Sequence, residues 1–165
     1  MSEKWLKEKL PGYAALPSAD RDAITIFALL WSLFEARLMK AEANAGQIAK
    51  AVEQWEADGT LGAELYDGEL AYFRDRYFQN GEFTFHFENL KLRKSDMPDL
   101  ITAGVRGDAA SPRERVLTVL LIVWRLRNNL FHGEKWAYEL QGQLDNFTHA
   151  NAVLMRILER HAGLG

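Results

Sequence analysis

The sequence has no cysteine and only four prolines among its 165 residues. Without cysteine, the chain cannot form a disulfide framework, a zinc ribbon or a thiol nucleophile. No apolar run is long enough to cross a bilayer, and the N-terminus lacks the apolar core of a signal peptide. The net charge is only −3, which excludes a globally basic nucleic-acid binder. We therefore expect a cytoplasmic protein that uses no membrane, no metal and no cofactor.

Apolar residues, in contrast, are abundant. They make up 48% of the chain and aromatic residues 12%, so a packed interior is expected and disorder is excluded. The length fits one domain. We predict an N-terminal arm over 1–17 and a single helical domain over 18–165.

Hydrophobic residues recur at helical spacing along most of that domain. The first predicted helix, 19 to about 43, is apolar on nearly every side, which is typical of a central, buried helix. Other helices are predicted over 46–58, 61–79 and about 134–161. The sequence thus predicts an all-α protein, an up-and-down helical bundle of four to five helices.

The clearest helix start is at Ser111. A serine can cap a helix, Pro112 suits its first position, and Glu114 stands three residues after the serine. The helix is predicted to run through a long apolar segment and to end at Gly133.

Two segments interrupt the helical pattern. Between 81 and 94, Phe83, Phe85 and Phe87 alternate with polar residues, and this period of two predicts a short extended or hairpin-like insert. Such a stripe can stack nucleic-acid bases, although packing on a core or a partner is its more common role. The segment 96–110 is predicted to be a connecting loop with a short helical turn.

Polar residues suited to phosphodiester chemistry follow the apolar part of the Ser111 helix. Asn128 and His132 are four residues apart, hence on one helix face, and Arg127 precedes them. A histidine exchanges a proton near neutrality, while an arginine stays charged and grips phosphate oxygens. Since RNA supplies its own 2′-hydroxyl nucleophile, these residues can cleave it without a metal. The residues alone fit better a helix end carrying cations that the helix dipole favours.

The segment 127–133, RNNLFHG, resembles the motif of the HEPN superfamily of helical domains. In that family four to six residues separate an arginine, often followed by asparagine, from a histidine, and a bacterial branch has an RN..FHG signature. The segment 30–38 resembles the early helix of that branch, in which an acidic residue, here Glu35, often approaches the motif. Without the resemblance, Glu35 is equally well a surface carboxylate paired with Arg37 or Lys40.

The resemblance implies a homodimeric, metal-independent endoribonuclease with two motifs facing each other across a cleft. Arg127 would bind phosphate, His132 would act as general acid or base, Asn128 would orient them, and Glu35 would hold Arg127 in place. The products would be a 2′,3′-cyclic phosphate and a 5′-hydroxyl. The implied role is a toxin or a phage-defence or stress effector, with an antitoxin protein as a candidate partner.

Two other interpretations stay open. A non-catalytic relative would bind a nucleotide or RNA, or act as a helical dimerisation module. Alternatively, the motif is coincidental in a plain helical protein.

Local charge is consistent with RNA binding. The segment 111–136 holds five basic and two acidic residues, a net charge of +3 in an acidic chain. We predict that Arg125 and Lys135 contact RNA, although a basic stripe suits an acidic protein partner equally.

The remaining histidines carry weaker signals. His86, among phenylalanines, is predicted to be structural, and His149 and His161 to be ordinary helix-surface residues. A second Arg-x4-His match, Arg156 to His161, lacks the asparagine and glycine of the motif and is set aside.

Overall fold

Helices dominate the computed structural model, which describes residues 2–10, 12–108, 111–131 and 142–164. The elements are α1 (Ser2–Lys9), α2 (Ser18–Leu38), α3 (Ala45–Ala57), α4 (Asp67–Tyr77), β1 (Phe78–Gln79), β2 (Glu82–Phe83), α5 (Phe85–Glu88), α6 (Pro98–Arg106), α7 (Pro112–Phe131) and α8 (Leu144–His161). Five of these described helices have 11 residues or more. The prediction of an all-α helical bundle with a short hairpin insert is confirmed.

Helix α7 is the centre of the core. It begins as predicted, because the Ser111 Oγ accepts a hydrogen bond from the Glu114 amide (3.1 Å) while the Glu114 carboxylate accepts one from the Ser111 amide (3.0 Å). Every residue from Val116 to Leu126 is buried, so α7 is covered on all sides. Helices α3, α4 and α6 all pack against it. At Gly104, α6 approaches so closely that a Cβ atom would lie 2.0 Å from the Thr118 hydroxyl oxygen.

Helix α2, which the sequence predicts to be buried all round, has one exposed face. It packs against α8, where the rings of Phe27 and Phe147 lie 5.1 Å apart and Asn151 donates a hydrogen bond to the Ala23 carbonyl. On the other side, Ile26 is 48% exposed and Leu29 67% exposed. Only one face of α2 therefore belongs to the core, and α7 is the central helix.

Several predicted boundaries move. Helix α2 ends at Leu38 instead of about 43, because Lys40 and Ala41 adopt left-handed backbone angles that turn the chain into α3. Helix α8 begins at Leu144, since Gly142, at φ 73°, cannot continue a helix. The predicted loop over 96–110 contains a true helix, α6, opened by Pro98.

The hairpin insert lies slightly earlier than predicted. Strands β1 and β2 pair Phe78 with Phe83 through a tight turn at Asn80-Gly81, both with positive φ, as an asparagine-glycine turn favours. The residues after β2 are helical, in α5. Phe83 and Phe87 stack on each other and are partly buried, whereas Phe85 is 64% exposed.

The N-terminal arm contains a two-turn helix, α1. None of its residues is buried, and Lys7 and Glu3 form an exposed ion pair. Among the described helices, none combines the length and the apolar content that a membrane crossing requires.

Candidate functional site

Arg127 lies near the C-terminal end of α7, where that helix meets α2. Its guanidinium is 5.2 Å from the ring centre of Phe131, one turn along α7, and 6.0 Å from that of Trp31 on α2. Its Nη1 donates a hydrogen bond to the Asn128 side-chain oxygen at 3.1 Å. The side chain is 28% exposed, so it is held by neighbours and still reaches solvent.

Glu35 comes from α2 to the same place. Its carboxylate lies 3.9 Å from the Arg127 Nη2 atom, and its side chain is 23% exposed. Trp31 is one helical turn before Glu35, so both residues face α7. Neither Arg37 nor Lys40 forms an ion pair with this carboxylate within the described part of the chain. Of the two interpretations of Glu35, the structure matches the placement beside Arg127.

His132 and Lys135 lie outside the described residues, which stop at Phe131 and resume at Gly142. His132 is the next residue in the chain after Phe131. Arg127, Asn128 and Glu35 are therefore the predicted site residues that the structure brings together.

Arg125 does not fit its predicted contact with RNA. Its side chain is 4% exposed, and the guanidinium forms an ion pair with Asp96, itself buried, at 3.4 Å. The Nε atom donates a hydrogen bond to the Leu90 carbonyl at 2.6 Å, and Nη2 donates one to the Asn129 side-chain oxygen at 2.9 Å. A guanidinium taken up by these internal partners is structural, because it would have to leave a buried carboxylate to reach a phosphate.

Asn129, which follows the motif asparagine, is also structural. Its amide nitrogen donates to the carbonyls of Asn89 and Leu90 at 3.3 and 3.2 Å. Together with Arg125, it ties α7 to the segment after α5. On this side of α7, which is not the side that Arg127 faces, a second cluster of polar side chains surrounds a small pocket.

No sequence pattern predicts this pocket. Arg76 and His86 line it, with the Arg76 Nη2 and the His86 Nδ1 3.4 Å apart. Only the alternation of aromatic residues around His86 marked the segment, and it suggested packing. Gln143 joins them from a position 57 residues further along the chain than His86, a separation that no local pattern can bridge.

The other histidines are stacked on aromatic rings. His149 stacks on Tyr72 and His161 on Trp55, each with ring centres 4.0 Å apart. Arg156, which begins the second Arg-x4-His match, forms an ion pair with Glu69. Arg156 and His161 of that match therefore make contacts between helices.

Acidification is expected to destabilise the fold partly through His161. Burial, with the charge of Arg160, lowers the pKa of His161 to about 4, below the ordinary value of 6.5. The unfolded chain then binds more protons, so the free energy of unfolding falls as the pH drops from about 6.5 towards 4. We expect a loss of about 1 kcal/mol, after allowance for solvent screening of this partly exposed ring.

Urea unfolding of the wild type and of His161→Phe at pH 7 and pH 4.5 measures this effect. The phenylalanine keeps the stack on Trp55 but does not titrate, so its stability should depend less on pH. An equal pH dependence of the two proteins would contradict the role of His161.

Comparison with known proteins adds no relative: no protein-family model matches the chain, and no curated protein or solved structure is significantly similar to it. The resemblance to the HEPN superfamily thus stays a prediction from the motif. Within the described ranges, no three histidine or carboxylate side chains cluster closely enough to hold a metal ion.

Proposed function

We propose that the chain is a metal-independent endoribonuclease of the HEPN type, acting at the C-terminal end of α7. The observation that carries the proposal is the setting of Arg127. Its guanidinium is held by Asn128, by Glu35 and by two aromatic rings, in a partly exposed position, and four residues separate it in sequence from His132, which a glycine follows. A cation that only interacts with the helix dipole would not need an acidic partner on another helix.

The proposed reaction is an in-line attack within the RNA. The 2′-hydroxyl oxygen attacks the adjacent phosphorus while the bond from phosphorus to the 5′ oxygen breaks. A base takes the 2′-hydroxyl proton and an acid protonates the leaving 5′ oxygen, which yields a 2′,3′-cyclic phosphate and a 5′-hydroxyl. His132 acts as one of these two groups, since an imidazole exchanges protons near neutrality.

Arg127 stabilises the charge that develops on the non-bridging oxygens. A guanidinium has five N–H donors, and here one on Nη1 is used by Asn128 and one on Nη2 faces Glu35. Each Nη therefore retains one N–H for a phosphate, which matches bidentate recognition. Asn128 and Glu35 act as positioning residues, and they touch the arginine and not the substrate.

A homodimer completes the proposed site. One copy offers a single imidazole, whereas the reaction needs both a base and an acid. A two-fold axis near the end of α7 would place a second His132 opposite the first. Phe131, 51% exposed beside Arg127, is an apolar side chain that a second copy would cover. The proposed biological role is a toxin or a defence or stress effector that an antitoxin protein would restrain.

Incubation of the purified protein with RNA in EDTA tests the proposal. We expect cleavage of structured and unstructured RNA by the wild type, and none by His132→Ala at the same concentration. Arg106→Ala is the matched control, because this arginine is 51% exposed and its one ion pair within the described part of the chain is with the exposed Asp108. Light scattering after gel filtration should give twice the monomer mass for all three proteins.

A non-catalytic RNA-binding role is the second candidate. It is favoured by the Glu35 carboxylate, which offsets part of the Arg127 charge and so leaves less of it to stabilise the additional negative charge that develops during cleavage, while the remaining N–H groups can still bind a phosphate. Binding of RNA without any cleavage by the wild type, in EDTA and in magnesium, would select this role and exclude the nuclease.

A further inference from the structure

A pocket on the other side of α7 has the character of an anion site. It lies between α4, α5, the end of α7 and the start of α8, and its volume is about 50 Å³. That volume accommodates a phosphoryl group. Among the described residues that line it, none is acidic.

Arg76 is the cation of this pocket. Within the ranges that the structure describes, no carboxylate lies within 4.0 Å of its guanidinium. The guanidiniums of Arg125, Arg127 and Arg156, in contrast, each have a carboxylate within that distance. The Nε atom is buried and has no hydrogen-bond acceptor among those residues. A buried arginine donor without an acceptor is costly, and an anionic ligand would remove that cost.

Gln143 adds a second donor at the other wall. Its side-chain oxygen accepts a hydrogen bond from the Asn146 amide at 2.6 Å, and the Asn146 oxygen accepts one from the Tyr72 hydroxyl at 2.9 Å. This chain orients the Gln143 amide, so its nitrogen is the end that can donate. His86 also lines the pocket, with its Nδ1 atom 3.4 Å from the Arg76 Nη2 atom.

The surroundings suit the rest of a nucleotide. Leu126, Leu130 and Phe147 are buried and form an apolar wall of the same pocket. Phe85, 64% exposed, has its ring centre 3.9 Å from that of His86. An exposed aromatic ring next to an anion site is a platform on which a base can stack.

We propose that this pocket binds a nucleoside phosphate, with the phosphoryl group on Arg76 and Gln143 and the base stacked on Phe85. The ligand is either a free mononucleotide or one unit of an RNA chain. The inference stands apart from the proposed nuclease, because Arg127 faces α2 and not this pocket.

Titration of the wild-type protein with the four nucleoside 5′-monophosphates, followed by NMR of the arginine Nε–H signals, tests the proposal. The Arg76 signal should shift on binding, while that of the exposed Arg37 on α2 should not. The matching nucleosides, which lack the phosphate, should bind at least about tenfold more weakly.

Variants then identify each half of the site by calorimetry. Arg76→Gln should weaken mononucleotide binding about tenfold or more, since it removes a charged hydrogen-bond donor, and Arg37→Gln should not. Phe85→Ala should weaken mononucleotide binding about fivefold or more and leave inorganic phosphate unaffected.

A 5′-phosphorylated tetraribonucleotide separates the two sources of the ligand. Arg76-dependent binding of the free mononucleotide identifies a free ligand, and Arg76-dependent binding of the tetranucleotide alone identifies RNA. Absence of both, or binding that leaves the Arg76 signal unmoved, would overturn the proposal. Unchanged mononucleotide affinity in Phe85→Ala would refute the position of the base. Binding measured with His132→Ala keeps this result separate from any cleavage.

Discussion

Replacing Asp96 by Ala is expected to lower the free energy of unfolding by about 3–5 kcal/mol, because it removes the buried carboxylate that is paired with the Arg125 guanidinium. The carboxylate of Asp96 is 1% exposed, and it also accepts a hydrogen bond from the Arg93 amide at 2.7 Å. Urea unfolding followed by circular dichroism measures the loss.

The double variant Asp96→Leu, Arg125→Met is the control. Removing both charges from an apolar site can be nearly neutral, so we expect it to recover most of the stability that Asp96→Ala loses. A loss below about 1 kcal/mol in Asp96→Ala would mean that water or another group compensates the Arg125 charge. Arg125 would then again be a candidate for contact with RNA.

Replacing Arg127 by Ala is expected to lower kcat/KM for RNA cleavage by about 10²–10³, the effect of removing one charge-stabilising donor. The loss should fall mainly on kcat, because the interaction strengthens as charge develops on the phosphate. Glu35→Gln, which leaves the guanidinium in place but weakens its hold, should lose less. Single-turnover cleavage of a fluorescent RNA measures both variants.

Stability separates this effect from unfolding. Arg127 is partly exposed and its ion pair with Glu35 is long, so Arg127→Ala should cost about 1 kcal/mol or less. Wild-type cleavage by Arg127→Ala would remove this residue from the catalytic machinery. Loss of cleavage by the surface control Arg106→Ala would show that the assay responds to overall charge.

Much of the fold follows from local chemistry. The capping residues at Ser111 set the start of α7, and its unbroken apolar sequence puts it at the centre of the core. The prediction that α2 is buried on all sides was wrong for a physical reason. Composition shows how apolar a helix is, but the neighbouring elements decide which of its faces is covered. The turn at Lys40 was missed because two non-glycine residues adopt left-handed angles there.

The residues of the candidate site were likewise predictable only in part from the sequence. Arg127 and Asn128 are found from their spacing to His132, and the resemblance pointed to Glu35 across a gap of some ninety residues. Arg125 shares their helix and charge but turns inward, which only the position of Asp96 decides. Arg76 and Gln143 line the same pocket only because α4 and the start of α8 both lie near the end of α7. No sequence motif indicates that they are close together.

The chemistry of the RNA ends tests the central claim most directly. An RNA cleaved in EDTA at one mapped linkage should carry a 2′,3′-cyclic phosphate by mass spectrometry, and a single 2′-O-methyl group at that linkage should stop the cut. A 3′-hydroxyl product, or a cut that persists despite the methyl group, would contradict attack by the substrate's own hydroxyl.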